Sequence, residues 1–109
     1  MAWVILIIAG LLETLWAFTM KMSNGFTRPT LTLATALSML ASIGLLSVSM
    51  RTLPLGTSYP VWTGIGAVGT FLVGVIVLRE SLNFTRVVAA ALIVAGLLLM
   101  KASASPDAP

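Results

Sequence analysis

A chain of 109 residues that is 59% hydrophobic and only 8% charged departs from soluble domains, where about a quarter of residues carry charge. With no cysteine and no histidine it can form no disulfide, no thiolate or imidazole metal site and no Ser-His-Asp triad. Its three acids, Glu13, Glu80 and Asp107, cannot make a carboxylate metal cluster or a paired-carboxylate hydrolase site within one chain, so neither an enzyme, a cofactor nor a metal is expected.

The net charge of +3 comes from six basic residues, no two of them adjacent, which leaves no patch for nucleic acid. Lys21, Arg28, Arg51, Arg79, Arg86 and Lys101 each fall at or near the end of an apolar run. They read as anchors whose stems snorkel to the lipid headgroups.

A membrane-spanning helix needs about 20 largely apolar residues. The first run, 2–20, meets that length. It has no basic leader region, contains a glutamate and is followed by no small-residue cleavage site, so it is not expected to be a signal peptide. Trp3 near its start fits an interfacial aromatic belt. "KMSNGFTR" follows, with the turn pair Asn24-Gly25. The second run, 29–50, opens on Pro29, where a missing N–H costs nothing. The third, 54–78, follows "RTLPLG", and the fourth, 83–100, follows "RESLNFTR". Glu80 in that last linker reads as a headgroup-level partner of Arg79 with little energetic weight. The expected architecture is an all-α membrane protein with one four-helix transmembrane domain over residues 1–102. A polar, Pro-containing tail at 103–109 is expected to be disordered.

The loops give a weak orientation signal. Lys21, Arg28, Arg79 and Arg86 fall on one side, and Arg51 and Lys101 on the other. So small a bias is compatible with insertion in both directions.

The chemistry concentrates at Glu13, inside "LLETLWAF". An ionised carboxylate at the centre of a bilayer costs at least about 2.5 kcal/mol, and intramembrane acids are functional by default. Lys21, the nearest cation on the run, is two turns away. Helical spacing sets Ala9, Gly10, Glu13, Trp16, Ala17 and Met20 on one stripe, with small residues that let another helix approach. The second run offers hydroxyls at Thr35, Ser38, Ser42 and Ser49. The third offers Tyr59 and Trp62, then Gly64 and Gly66, and the fourth offers Ala89 and Gly96. Each has a plainer reading: serines bonded back to their own helix, and glycines that serve packing alone.

An acid among aromatics with no fixed basic partner suggests a mobile cation. Aromatic faces attract cations, and a carboxylate neutralises them. When the cation leaves, a desolvated carboxyl group can take a proton instead. Competition between proton and cation for one group is the core of antiport. Four helices with one acid are too few to enclose a path, so an oligomer is expected. A dimer would bring two Glu13 carboxyl groups together and couple their titrations.

The segments "AGLLETLWA", "KMSNGFTR" and "LPLGTSYPVWTGIGAVG" carry a resemblance to the small multidrug resistance family, over essentially the whole chain to about Ala102. Trp16 beside the acid, the Trp-Thr pair in "VWTGIGA" and Lys101 make it similar to that family's guanidinium-exporter branch. The resemblance implies an antiparallel, dual-topology homodimer in a bacterial cell membrane, exchanging protons for a small cation. Glu13 would bind both. Trp16, Ser42, Tyr59 and Trp62 would line the pocket, with Ser42 bonded to the glutamate or substrate and Trp16 bonded to Glu13. Gly64 and Gly66 would mark a helix kink, and Ala89 and Gly96 the dimer contact. Guanidinium is planar and rich in N–H donors, which suits hydroxyl-buttressed carboxylates, whereas a quaternary ammonium has no N–H to offer.

Two positions depart from the family pattern: Ala89, where glycine is common, and Pro60, where a small residue is usual. Proline removes the N–H that would bond to Gly56, which predicts a bent or loosened third helix and altered selectivity. The competing readings are an exporter of quaternary ammonium compounds, a proton-translocating ring subunit of a rotary ATPase, and a small structural or pore-forming subunit. Ring subunits usually carry their acid on the second of two helices, whereas this chain carries it on the first of four.

Overall fold

The computed structural model describes residues 1–103. Among them, secondary structure is entirely helical: α1 (Ala2–Met22), α2 (Pro29–Ser49), α3 (Leu55–Ile76) and α4 (Phe84–Ser103). All four are long and apolar enough to cross a membrane. The helices form an open slab with extents of 46 × 35 × 17 Å, thin enough in one direction for a single layer. Their lateral order is α2, α1, α3, α4: α1 packs against α2 and α3, and α4 packs against α3.

Local chemistry sets the ends. Pro29 opens α2 in the first turn. Pro54 lies outside α3 as its extended N-cap, with ψ 154°, so the helix starts one residue later than the apolar run. The turn after α1 uses three consecutive positive-φ residues, Asn24, Gly25 and Phe26. Ser23 ties this turn down: its hydroxyl donates to the Met20 carbonyl at 2.7 Å and accepts from the Phe26 N–H at 3.0 Å. α3 stops at Ile76 rather than 78 because the chain turns through Arg79, held at φ 56°. Asn83 caps α4, its side-chain oxygen accepting from the Arg86 N–H at 2.9 Å. α4 runs on to Ser103, the first residue of the expected tail, whose residues 104–109 lie outside those described.

Small polar groups share the interior with an apolar cluster of Leu6, Ala9, Leu46, Val61 and Trp62. Leu6 and Ala9 apart, the side chains sealed most completely are hydroxyls: Thr35, Ser23, Ser42, Ser49 and Ser58. Large aliphatic residues face outward instead, as they do when the surroundings are lipid and helix association relies on close packing and hydrogen bonds. Thr19 of α1 and Thr35 of α2 bond across the interface at 2.7 Å, while Thr35 also reaches the Leu31 carbonyl. Ser38 and Ser49 follow the plainer reading, donating to Ala34 and Leu46 of their own helix at 2.7 Å.

The α1–α3 seam is closed by glycines. A methyl group at Gly10 would stand 2.7 Å from Ile65 Cβ, and one at Gly69 would stand 3.0 Å from Thr14 Cβ. α4 buries no residue. Its C-terminal end is held to α1 by Lys101, whose ammonium lies 4.6 Å from the centre of the Trp3 ring.

Candidate functional site

Glu13 lies near the middle of α1, and its carboxyl group points at Gly66 of α3. A methyl group at Gly66 would stand 2.5 Å from Glu13 Cδ and 2.8 Å from Cγ. The absent side chain of a buried glycine is therefore the space that the carboxyl group fills. Glu13 Oε1 is enclosed and has no hydrogen-bond partner among the described residues. No cation of the described residues is paired with it; the ion pair found there joins Arg86 to Glu80.

One helical turn further along α1, Trp16 Nε1 is likewise enclosed and unpartnered. The bond from Trp16 to Glu13 that the family resemblance implies is not made. The two groups lie one turn apart on the same helix, and each presents an unsatisfied polar atom. Buried polar atoms of native proteins almost always have partners, and exceptions need an explanation.

One turn before Glu13, a three-part relay joins α1, α2 and α3. Trp62 Nε1 donates to Ser42 Oγ at 3.0 Å, and Ser42 Oγ donates to the Ala9 carbonyl at 2.6 Å. Of the two partners expected for Ser42, the glutamate or the substrate, the glutamate is not bonded in this single chain. The single Ser42 hydroxyl proton is committed to Ala9, whose carbonyl is the one that an α-helix offers to the Glu13 N–H. Trp62 is 7% exposed and packs with Leu6, Ala9, Leu46 and Val61. Tyr59 is 52% exposed, with its ring centre 5.6 Å from that of Trp62 and the planes tilted by 53°. The structure therefore brings Ser42, Trp62 and Tyr59 into one cluster, and Glu13 and Gly66 into a second, one turn away.

The remaining expected residues are placed as follows. α3 is helical without interruption through Pro60, Gly64 and Gly66. Gly64 is a contact point for α4, where a methyl group would stand 3.2 Å from Leu97 Cγ. The expected loosening at Pro60 does not break the helix, because Pro60 falls in the second turn and only the bond to Gly56 is forgone. Ala89 and Gly96 are exposed on α4, and open space surrounds Gly96. Glu80 pairs with Arg86 at 3.6 Å rather than with its neighbour Arg79, whose left-handed backbone turns the chain at that point.

Some partners escape a reading of the sequence. Thr19 falls three residues after Trp16, beside the stripe that carries Glu13, a spacing that could have flagged it. Gly69 is one helical turn from Gly66.

Four membrane-crossing helices with an unpartnered carboxyl group on the first, seated on a glycine of the third, define a small multi-pass membrane protein with a polar site inside its bundle. The chain belongs to the small multidrug resistance family: the model described as Small Multidrug Resistance protein matches residues 1–93. It is 50% identical over 101 residues to the guanidinium exporter of Yersinia pseudotuberculosis, covering 93% of this chain and 97% of that protein. The guanidinium exporter of Citrobacter freundii is 50% identical over 103 residues, covering 94% and 98% respectively. That of Proteus vulgaris is 50% identical over 101 residues. The protein is a membrane transporter, not an enzyme.

Proposed function

We propose that this transporter exports guanidinium and related small guanidinyl cations in exchange for protons, and that proton and cation compete for Glu13. The observation that carries the reading is the enclosed, unpartnered carboxyl oxygen of Glu13, with no lysine or arginine paired to it. A group of this kind is incomplete without either a proton or a cation. Guanidinium offers the planar N–H fork that a carboxylate accepts best. The exporter names of relatives at 50% identity over nearly their whole length support the same substrate class.

The working unit is an antiparallel homodimer of dual topology in the bacterial inner membrane. A slab one helix thick has no second layer over its broad faces, and a second copy supplies a further wall and a second carboxyl group. Trp16, Ser42, Tyr59 and Trp62 then form the pocket, with Trp16 Nε1 free to bond a carboxylate once the second subunit is present. Ala89 and Gly96, exposed on the outermost helix, provide the contact face.

Transport into proteoliposomes tests this reading. Guanidinium should drive counter-movement of protons, and Glu13→Gln should abolish it. Exchange driven by a tetra-alkyl ammonium but not by guanidinium would move the protein to the quaternary-ammonium exporters.

A further inference from the structure

The α3–α4 turn holds a guanidinium group already. The head of Arg86 lies 3.6 Å from Glu80 Oε1 and 5.2 Å from the centre of the Phe71 ring, and its Nη1 donates to the Ser81 carbonyl. A carboxylate, a carbonyl and an aromatic face together are what a planar, donor-rich cation requires.

The turn is shaped to present these groups. The Glu80 N–H donates to the Gly74 carbonyl at 2.9 Å, folding the turn back onto α3. A methyl group at buried Gly74 would stand 2.7 Å from Glu80 Oε1, so the glycine makes the seat for the carboxylate. Arg79 pays for the reversal with a left-handed backbone at φ 56°. Two hollows flank the Arg86–Glu80 pair. One, beside Glu80, is lined by Lys21, Thr70 and Gly74; the other, beside Arg86, is lined by Phe71, Ala89 and Ala90. The side chains of Arg86 and Glu80 are 36% and 45% exposed, within reach of dissolved ions.

We propose that Glu80, the Ser81 carbonyl and Phe71 form a second guanidinium-binding subsite at the membrane surface, with the Arg86 head as its resident occupant. This rests on the reading that guanidinyl cations are the substrate. The subsite stands at one end of the seam in which Glu13, Ala17 and Lys21 on α1 face Gly66, Thr70 and Gly74 on α3 at one-turn intervals. That end also carries Lys21, Arg28, Arg79 and Arg86, and Glu80 is its one acid. A free cation arriving there exchanges with the tethered arginine head before moving inward. The tether gives Arg86 a high effective concentration, so the free ion occupies the subsite only briefly.

Binding of guanidinium to purified protein, measured calorimetrically at millimolar concentrations, tests the proposal in a Glu13→Gln background that silences the central site. Adding Arg86→Met should create saturable guanidinium binding at least about tenfold tighter than in the Glu13→Gln parent. Adding Glu80→Gln to that variant should abolish it, and tetramethylammonium, which has no N–H, should not compete. Arg86→Gln, which is polar but carries no charge, serves if Arg86→Met does not assemble. No binding gained on removing the Arg86 head overturns the subsite, as does binding that survives Glu80→Gln. Glu13-dependent guanidinium transport by the unmodified protein is measured beside it. Intact transport without a new site in the Arg86 variants rejects the subsite alone, and absent transport rejects the central reading.

Discussion

Gly66 of α3 and Glu13 of α1 occupy a single space: the carboxyl group of one stands where the side chain of the other would begin, 2.5 Å from a methyl group built at Gly66 to Glu13 Cδ. The crossing of the two helices is thereby tied to the position of the Glu13 carboxyl group. Gly66→Ala should leave a folded four-helix protein, because the atoms in the way are the far end of a flexible side chain. The displaced group is the one we propose holds the cation, so guanidinium affinity should fall by at least about tenfold, against an overpacking cost of about 1–3 kcal/mol. Transport rates and thermal unfolding in detergent, measured together, check both halves.

The Trp62–Ser42–Ala9 relay gives a second prediction. Ser42→Ala leaves the buried Trp62 N–H without an acceptor, at a cost of about 1–3 kcal/mol. Trp62→Phe removes donor and need together, so the double variant should be less destabilised than the sum of the two single ones. A double-mutant cycle on thermal stability reads this coupling directly.

Pro60 supplies a third. α3 passes through it unbroken but forgoes the bond to Gly56. Pro60→Ala restores that bond and should raise the thermal midpoint, by up to about 3 kcal/mol in helix stability. Tyr59 and Trp62 flank the position, so the relative rates for guanidinium and a tetra-alkyl ammonium should also change. Unchanged rates for every cation would rule out a role for Pro60 in selectivity.

Gly96 tests the dimer. Nothing lies within 4 Å of a methyl group built there, so Gly96→Leu should leave the protomer's own packing intact. If α4 is the contact face, the added side chain lands between two subunits. Size-exclusion chromatography in detergent should then show a shift from dimer to monomer, with transport lost. A dimer that survives would place the contact elsewhere.

Much of this was legible in the sequence for physical reasons. Runs of about 20 apolar residues separated by charged turns admit few alternatives to four spanning helices. Glu13 stands out because its cost in lipid is high, and Gly66 because a small residue permits close approach. Hydrogen-bond direction was not legible. Ser42 has one proton and several acceptors within reach of a helix face, and only the three-dimensional crossing selects Ala9 over Glu13. Glu80 shows the same limit: adjacency suggested Arg79, but the left-handed backbone at Arg79 turns the carboxylate toward Arg86 instead. Helix ends shifted by one to three residues where a proline cap, a positive φ or the Asn83 cap intervened.

The central claim, one carboxyl group shared by proton and cation, is tested most directly by guanidinium affinity measured across a pH series. A proton on Glu13 removes the charge that holds the cation, so affinity should weaken as pH falls, and Glu13→Gln should cut the affinity by at least about tenfold and remove its pH dependence. Guanidinium affinity that stays constant with pH in the unmodified protein, or that Glu13→Gln leaves unchanged, would contradict the account.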